Sequence, residues 1–337
     1  MMELIIDLPV YMPVLKKIQE LDGINVHLLP EPAVVARTLP VAEIEHGTVL
    51  LCTIPPENHA AMKNLELVQI ASAGYTQLIN QGFAQRNIRC CNALGVFDVP
   101  IAEWNMAMMI HLARDFKGMQ RNQQQKVWDR SARFQDEIRG RVVGIWGYGG
   151  IGRETARLAR ALGMTVHVLS RSGLKPRHHT YCVPGTGDPE GLLPDRVFGM
   201  DEKDAFLRSV DFLIMAIPQT GSTEGIVGEA ELRLLKPSAF LLNPARGPLI
   251  KEAALVRALQ ENWFAGAALD THYHYPMPPE HPLWEMDNVI LTPHISGSSA
   301  SPHFLERVWD IFFENVQRLR NGKPLLNELS AAALTGK

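Results

Sequence analysis

The chain has 337 residues, 46 % of them hydrophobic and 20 % charged, with 33 Lys and Arg against 36 Asp and Glu for a formal net charge of -3. That length suits two domains of an ordinary globular protein and excludes a disordered chain or a fibre. With no basic run, nucleic acid is not an expected partner, and no apolar stretch reaches the roughly 20 residues that span a bilayer, so no membrane partner is expected either.

The opening MMELIIDLPVYMP lacks a basic segment and a small-residue cleavage site and reads as a first strand, so a cytoplasmic protein is expected. Strands are predicted at 4–7, 26–29, 49–53, 67–72 and 88–92, with helices or turns between them, which makes a small parallel sheet. Cys52, Cys90, Cys91 and Cys182 show no C-x-x-C spacing and read as buried free thiols in a reducing compartment. From 101 to 116 the run IAEWNMAMMIHLARDF is apolar on nearly every side, with Asp98 as its cap. Such a helix is expected to be buried between domains or against a second subunit.

Residues 141–172, RVVGIWGYGGIGRETARLARALGMTVHVLSRS, spell a strand, a glycine turn, a helix and a second strand. Gly147-Tyr148-Gly149-Gly150-Ile151-Gly152 fits G-x-G-x-x-G, the turn of a dinucleotide-binding unit. Gly147 permits the tight turn, Gly149 lets backbone amides approach a pyrophosphate, and Gly152 lets the helix pack closely on the strand. NAD sites place a carboxylate about twenty residues on, for the ribose 2′-hydroxyl. Here Ser170, Arg171 and Ser172 stand there instead. A hydroxyl and a guanidinium can both donate to a 2′-phosphate, so NADP(H) is the preferred cofactor and NAD(H) the lesser one. Lys175, Arg177, His178 and His179 add positive charge, or form a solvated basic loop.

Residues 180–196 read as a long loop at the adenosine end, followed by strands at 212–217, 240–243, 265–269 and 289–292 and a helix at 251–261, a doubly wound sheet. Phe304, Leu305, Val308, Phe312, Val316 and Leu319 recur at helical spacing and are core, and Gly322-Lys323-Pro324 ends that helix. Three polar clusters close apolar strands: Asn243-Pro244-Ala245-Arg246-Gly247, then Asp270, then Thr292-Pro293-His294. Ligands of open parallel sheets bind beyond the strands' carboxyl ends, so the three suggest one site. An arginine can grip a carboxylate and polarise a carbonyl, and a histidine can pass a proton at neutral pH. The pair suits reduction of a 2-oxo acid to its 2-hydroxy acid.

The motifs GRVVGIWGYGGIG, LLNPARGPLIKEAALVRALQENWFAGAALD, PLWEMDNVILTPHISG and RNGKPLLNEL together resemble the D-isomer-specific 2-hydroxyacid dehydrogenases, most closely the glyoxylate and hydroxypyruvate reductase branch. The resemblance covers nearly the whole chain. It implies an α/β protein of two Rossmann-like or flavodoxin-like domains, parallel sheets with helices on both faces: a substrate domain from 1–98 plus 298–337 and an NAD(P) domain from 99–297. It also implies a homodimer. The family's catalytic arginine falls on Arg246, its acid-base histidine on His294, its nicotinamide contact on Asp270, and its carboxylate-binding loop on Ala73, Gly74 and Tyr75. Ile217, Pro218, Ala245 and Gly297 complete the expected cofactor surface.

One position departs from the pattern. Relatives carry a glutamate five residues after the aspartate, where it raises the histidine's pKa; this chain has Tyr275. A phenol supplies no negative charge, so His294 is expected to be mostly neutral at pH 7. This admits a reductase with an acidic optimum, a hydride transfer to a substrate that needs no proton relay, or a dinucleotide-sensing protein without turnover. No metal is expected, because His272 and His274 lack a third ligand at suitable spacing. By analogy Trp104, Tyr11 and Met12 are substrate-side contacts, and Trp128 is expected to pack at a domain edge.

Overall fold

The structure, a computed structural model, describes residues 1–32 and 35–336. They divide into two compact units, one of 1–96, 178–183 and 299–337, the other of 97–177 and 184–298.

The first unit is built on five parallel strands, β1 (Met2–Asp7), β2 (Ile24–Leu28), β3 (Val49–Cys52), β4 (Leu67–Ile70) and β5 (Arg89–Cys91), in the order β2-β1-β3-β4-β5. That is the flavodoxin-like order. Ile5, Leu50, Cys52, Val68 and Ile70 point to one face and pack with Ile44, Met62, Leu78 and Phe83. The helices Met12–Gln19 and Pro302–Arg320 pack together, and Asn315 on the second donates to Gln69 of β4 at 2.9 Å. Asn327 donates its amide to His179 O and accepts from Tyr181 N, which ties 178–183 into this unit. Cys52, Cys90 and Cys91 are buried free thiols as expected, and Cys182 is half-buried.

The second unit has seven parallel strands: β6 (Val142–Trp146), β7 (Thr165–Leu169), β8 (Arg196–Phe198), β9 (Phe212–Met215), β10 (Phe240–Asn243), β11 (Gly266–Leu269) and β12 (Val289–Leu291). Their order, β12-β11-β10-β9-β6-β7-β8, reverses direction between β6 and β9, the switch point at which doubly wound sheets bind ligands. Strand alternation splits the core in two. Val143, Ile145, Phe212, Ile214 and Leu242 face the helices Asp98–Ala113 and Gly150–Ala161. Trp146, Leu213, Met215, Leu241 and Leu269 face the helices Lys203–Ser209 and Glu252–Gln260.

Several local expectations are corrected. Asp98 does not cap its own helix; it is the first helical residue, and a Cβ on Gly150 would collide with its carboxylate, so it lies against the first turn of the dinucleotide helix. The apolar helix stops at Ala113. Asp115 turns left-handed (φ 45°), accepts from Gly118 N and starts a separate helix, Phe116–Gln125. β8 begins on the last residue of the expected 180–196 loop and was not predicted. Trp128 is 91 % exposed instead of packed, and Trp104 is 9 % exposed within the core.

Candidate active site

Gly147 follows β6 with φ 102°, and a Cβ there would stand 2.5 Å from Ala216 O and 2.7 Å from Ile217 Cγ2. Only glycine fits both the conformation and the space. Gly152 is held as closely: its Cβ would meet Gly147 O at 2.5 Å. Gly149 is different. Among the described residues the neighbour within 4 Å of its Cβ position is Arg177 Nη1, at 4.0 Å, so the N-terminus of the helix Gly150–Ala161 is open to an anion and carries a guanidinium beside it. These residues fit a dinucleotide diphosphate. Tyr148 points its side chain elsewhere: its hydroxyl donates to Asp188 at 2.6 Å, and burial pushes its pKa well up. Arg153, nearly buried, reaches the carbonyls of Tyr148, Asp188, Pro189 and Lys175, so the loop before β8 is pinned against this helix.

At the end of β7 the Ser170 hydroxyl donates to Gly173 O at 2.9 Å, which leaves the exposed Arg171 as the freer donor there. Arg177 was legible only as part of a basic loop with Lys175, His178 and His179. Its approach to Gly149 depends on the path of the loop.

The strand ends of β10, β11 and β12 bring the expected catalytic groups to one edge of the sheet. Buried Asn243 closes β10, accepts from Ala245 N at 3.1 Å and Arg246 N at 3.3 Å, and donates to Arg246 O at 2.8 Å. This fixes the backbone that presents Arg246. Among the described residues the exposed guanidinium bonds only Ala245 O and makes no ion pair.

Asp270 ends β11 with no exposure. Its carboxylate accepts from Thr292 Oγ1, Ile295 N, Ser296 N and Ser296 Oγ, and its carbonyl accepts from His294 N at 2.7 Å. All four lone-pair positions of the carboxylate are thereby engaged with the loop that carries His294. His294 itself has φ 55°, a left-handed conformation that costs a non-glycine residue about 1–3 kcal/mol and persists only where its surroundings impose it. Asn243 and Asp270 thus fix the backbone at Arg246 and His294, a role that polar residues closing apolar strands can signal.

Removal from water pushes the His294 imidazole below its ordinary pKa, and the nearby Arg246 charge and His272 act the same way against Asp270. Tyr275 is its neighbour, ring centroids 5.6 Å apart, and is 58 % exposed. The phenol oxygen accepts from His272 N at 3.1 Å, and no hydrogen bond joins Tyr275 to His294 among the described residues. His272 donates from Nε2 to Thr292 O at 2.8 Å, whereas His274 turns toward Glu252, so the two histidines diverge.

In the first unit, Ala73, Gly74 and Tyr75 follow the end of β4. Asn92 Nδ2 holds Ala73 O at 2.7 Å and Ser72 Oγ holds Gly74 O at 2.7 Å. None of the three backbone amides donates a hydrogen bond among the described residues. The three amides are thus left unpaired on a braced turn.

A doubly wound sheet with an open glycine turn at its switch point and an Arg-His pair at its strand ends is the constellation of an NAD(P)-dependent oxidoreductase. The family model described as the D-isomer specific 2-hydroxyacid dehydrogenase NAD-binding domain matches residues 106–296, and the chain belongs to the D-isomer specific 2-hydroxyacid dehydrogenases. It is 30 % identical over 288 residues to a glyoxylate reductase of Thermofilum pendens, across 83 % of this chain and 80 % of that protein. Among solved structures it is similar to an NADPH-dependent glyoxylate/hydroxypyruvate reductase from Sinorhizobium meliloti in complex with NADP and sulfate, at TM-score 0.72 and 23 % identity over 99 % of each chain. An acyclic imino acid reductase in complex with NADPH and D-Arg aligns at TM-score 0.69 and 23 % identity, covering 98 % of this chain and 100 % of that one.

Proposed function

We propose that this chain is a cytoplasmic, homodimeric, NADP-preferring reductase of small 2-oxo acids such as glyoxylate or hydroxypyruvate, with the first unit serving the substrate and the second the cofactor. The observation that carries this is the arrival of Arg246 and His294 at the edge of the sheet that holds the glycine turn, each fixed by a buried polar residue. The names of the glyoxylate reductases among its relatives support the substrate class.

Bound NADPH would supply the hydride. In the first unit the free amides of Ala73, Gly74 and Tyr75 suit a carboxylate, and in the second Arg246 suits a carbonyl oxygen toward which it would draw electron density. His294, in its protonated form, gives that oxygen a proton as the alkoxide develops. Arg171 and Arg177 favour a phosphorylated ribose and the diphosphate, and Ile217, Pro218, Ala245 and Gly297 line the remaining cofactor surface.

Tyr275 favours a second reading. An iminium formed from a 2-oxo acid and an amine already carries its proton, so hydride addition at its carbon leaves a neutral amine and asks no proton of His294. That fits an imidazole held neutral, and the acyclic imino acid reductase among the structural neighbours supports it.

Steady-state NADPH oxidation with glyoxylate, hydroxypyruvate, pyruvate and bulkier 2-oxo acids, each with and without a primary amine, tests both readings. Turnover without amine, lowered about 10²- to 10³-fold in kcat/KM by Arg246→Ala, is the expected result. Turnover that requires the amine selects the iminium reading. NADPH binding with no turnover on any pair would overturn both and leave a dinucleotide sensor.

A further inference from the structure

The parallel register of β1 and β2 sets Glu3 opposite Asn25 and Ile5 opposite His27. Because side chains alternate along a strand, Glu3, Asn25 and His27 share one face. Glu3 Oε1 accepts from Asn25 Nδ2 at 2.9 Å, and Glu3 Oε2 lies 2.8 Å from His27 Nε2. A third group comes from another part of the chain. The turn after the helix Val41–Ile44 carries His46, whose ring meets that of His27 edge-on with centroids 4.3 Å apart.

One ligand atom from each of Glu3, His27 and His46 lies within 4.8 Å of the other two. His46 Nε2 is buried and has no hydrogen-bond partner among the described residues. A buried imidazole nitrogen without a partner is costly, and a structure that keeps one calls for an explanation. Protonating both imidazoles would satisfy the Glu3 carboxylate but set two like charges edge to edge. A divalent cation resolves this, because both imidazoles then stay neutral and turn lone pairs inward beside an ionised carboxylate.

We propose that Glu3, His27 and His46 form a binding site for a divalent transition metal. Two imidazoles and one carboxylate suit zinc, cobalt or nickel, whereas calcium and magnesium favour sites built from oxygen alone. The side chains of His27 and Glu3 are 39 % and 20 % exposed, so the remaining coordination position faces water and the ion exchanges with solvent. Asn25 fixes the carboxylate from behind, as outer partners of metal ligands do. Glu3 lies near the amino end of β1, while Ala73, Gly74 and Tyr75 follow the carboxyl end of β4, at the opposite ends of the strands in the same parallel sheet. The ion therefore braces β1, β2 and the lead into β3, and takes no part in hydride transfer.

Chelator-treated, tag-free, full-length protein titrated with Co²⁺ and Zn²⁺ tests the site. The expected result is one equivalent bound per chain at micromolar concentration, and a melting temperature about 5 °C higher at saturating zinc. Glu3→Gln and His46→Gln should each abolish that equivalent while circular dichroism and NADPH binding report a folded protein. Failure to bind an equivalent, or undiminished binding in both variants, overturns the proposal. Should the variants misfold, a zinc-soaked crystal decides: anomalous density among Glu3, His27 and His46 supports the site, and its absence there refutes it.

Discussion

Tyr275 and His294 are adjacent rings that share no hydrogen bond, and removal from water, followed by the Arg246 charge, acts against a protonated imidazole. Reduction of a ketone needs the protonated form, which is populated below the imidazole pKa and lost as the pH rises through it. With that pKa held below the ordinary value of about 6.5, activity on 2-oxo acids should decline on the acid side of neutrality. Tyr275→Glu restores a negative charge, and the falling limb of the kcat/KM profile should move up by about one pH unit. An unmoved limb would mean that the new carboxylate does not reach His294. At the cofactor end, Arg171→Ala and Arg177→Ala should each raise the KM for NADPH about 10- to 100-fold, as expected for losing a hydrogen bond to a charged group, and leave NADH nearly unaffected by Arg171→Ala. Equal effects of Arg171→Ala on both cofactors would remove the argument for 2′-phosphate recognition. Arg246, His294 and Tyr275 were legible as residues because each stands at a fixed offset from a strand or a motif. What Asp270 bonds was not, since its four donors come from a loop more than twenty residues away.

At the scale of elements, the glycine turn was the most legible feature, because its requirements are steric and local. Gly147→Ala tests this. A Cβ would be forced into a left-handed position 2.5 Å from Ala216 O, so stability in urea should fall by about 1–3 kcal/mol, with loss of NADPH binding. A variant as stable as the parent would show that the turn can relax. Parallel strands buried on both faces read as apolar runs, which is why β1, β3, β9 and β10 were found within a residue or two. β8 was missed for the converse reason: Arg196 and Val197 are exposed at the sheet edge, and three residues give no period to read. The break at Asp115 also escaped, because the apolar pattern runs through it and only a left-handed residue capped by its own side chain divides the two helices.

At the scale of the whole molecule, the second unit leaves Ile110, Val127, Trp128 and Trp284 with large exposed areas. The proposed homodimer would cover some of them, Trp128 first, at 91 % exposed. Light scattering should give twice the chain mass, and Trp128→Ala should make that mass fall on dilution. A monomer at every concentration would contradict the assembly.

By itself the amino-acid sequence determined the two parallel sheets and the dinucleotide turn and marked Arg246 and His294 as strand-end polar residues, because strand burial, glycine sterics and strand-end placement act over short stretches of chain. Only the tertiary structure decided that Asp270 is saturated by the His294 loop, that Arg177 stands over Gly149, and that Glu3, His27 and His46 meet on one face. Each of those depends on where segments distant in sequence come to rest, and no local pattern encodes that.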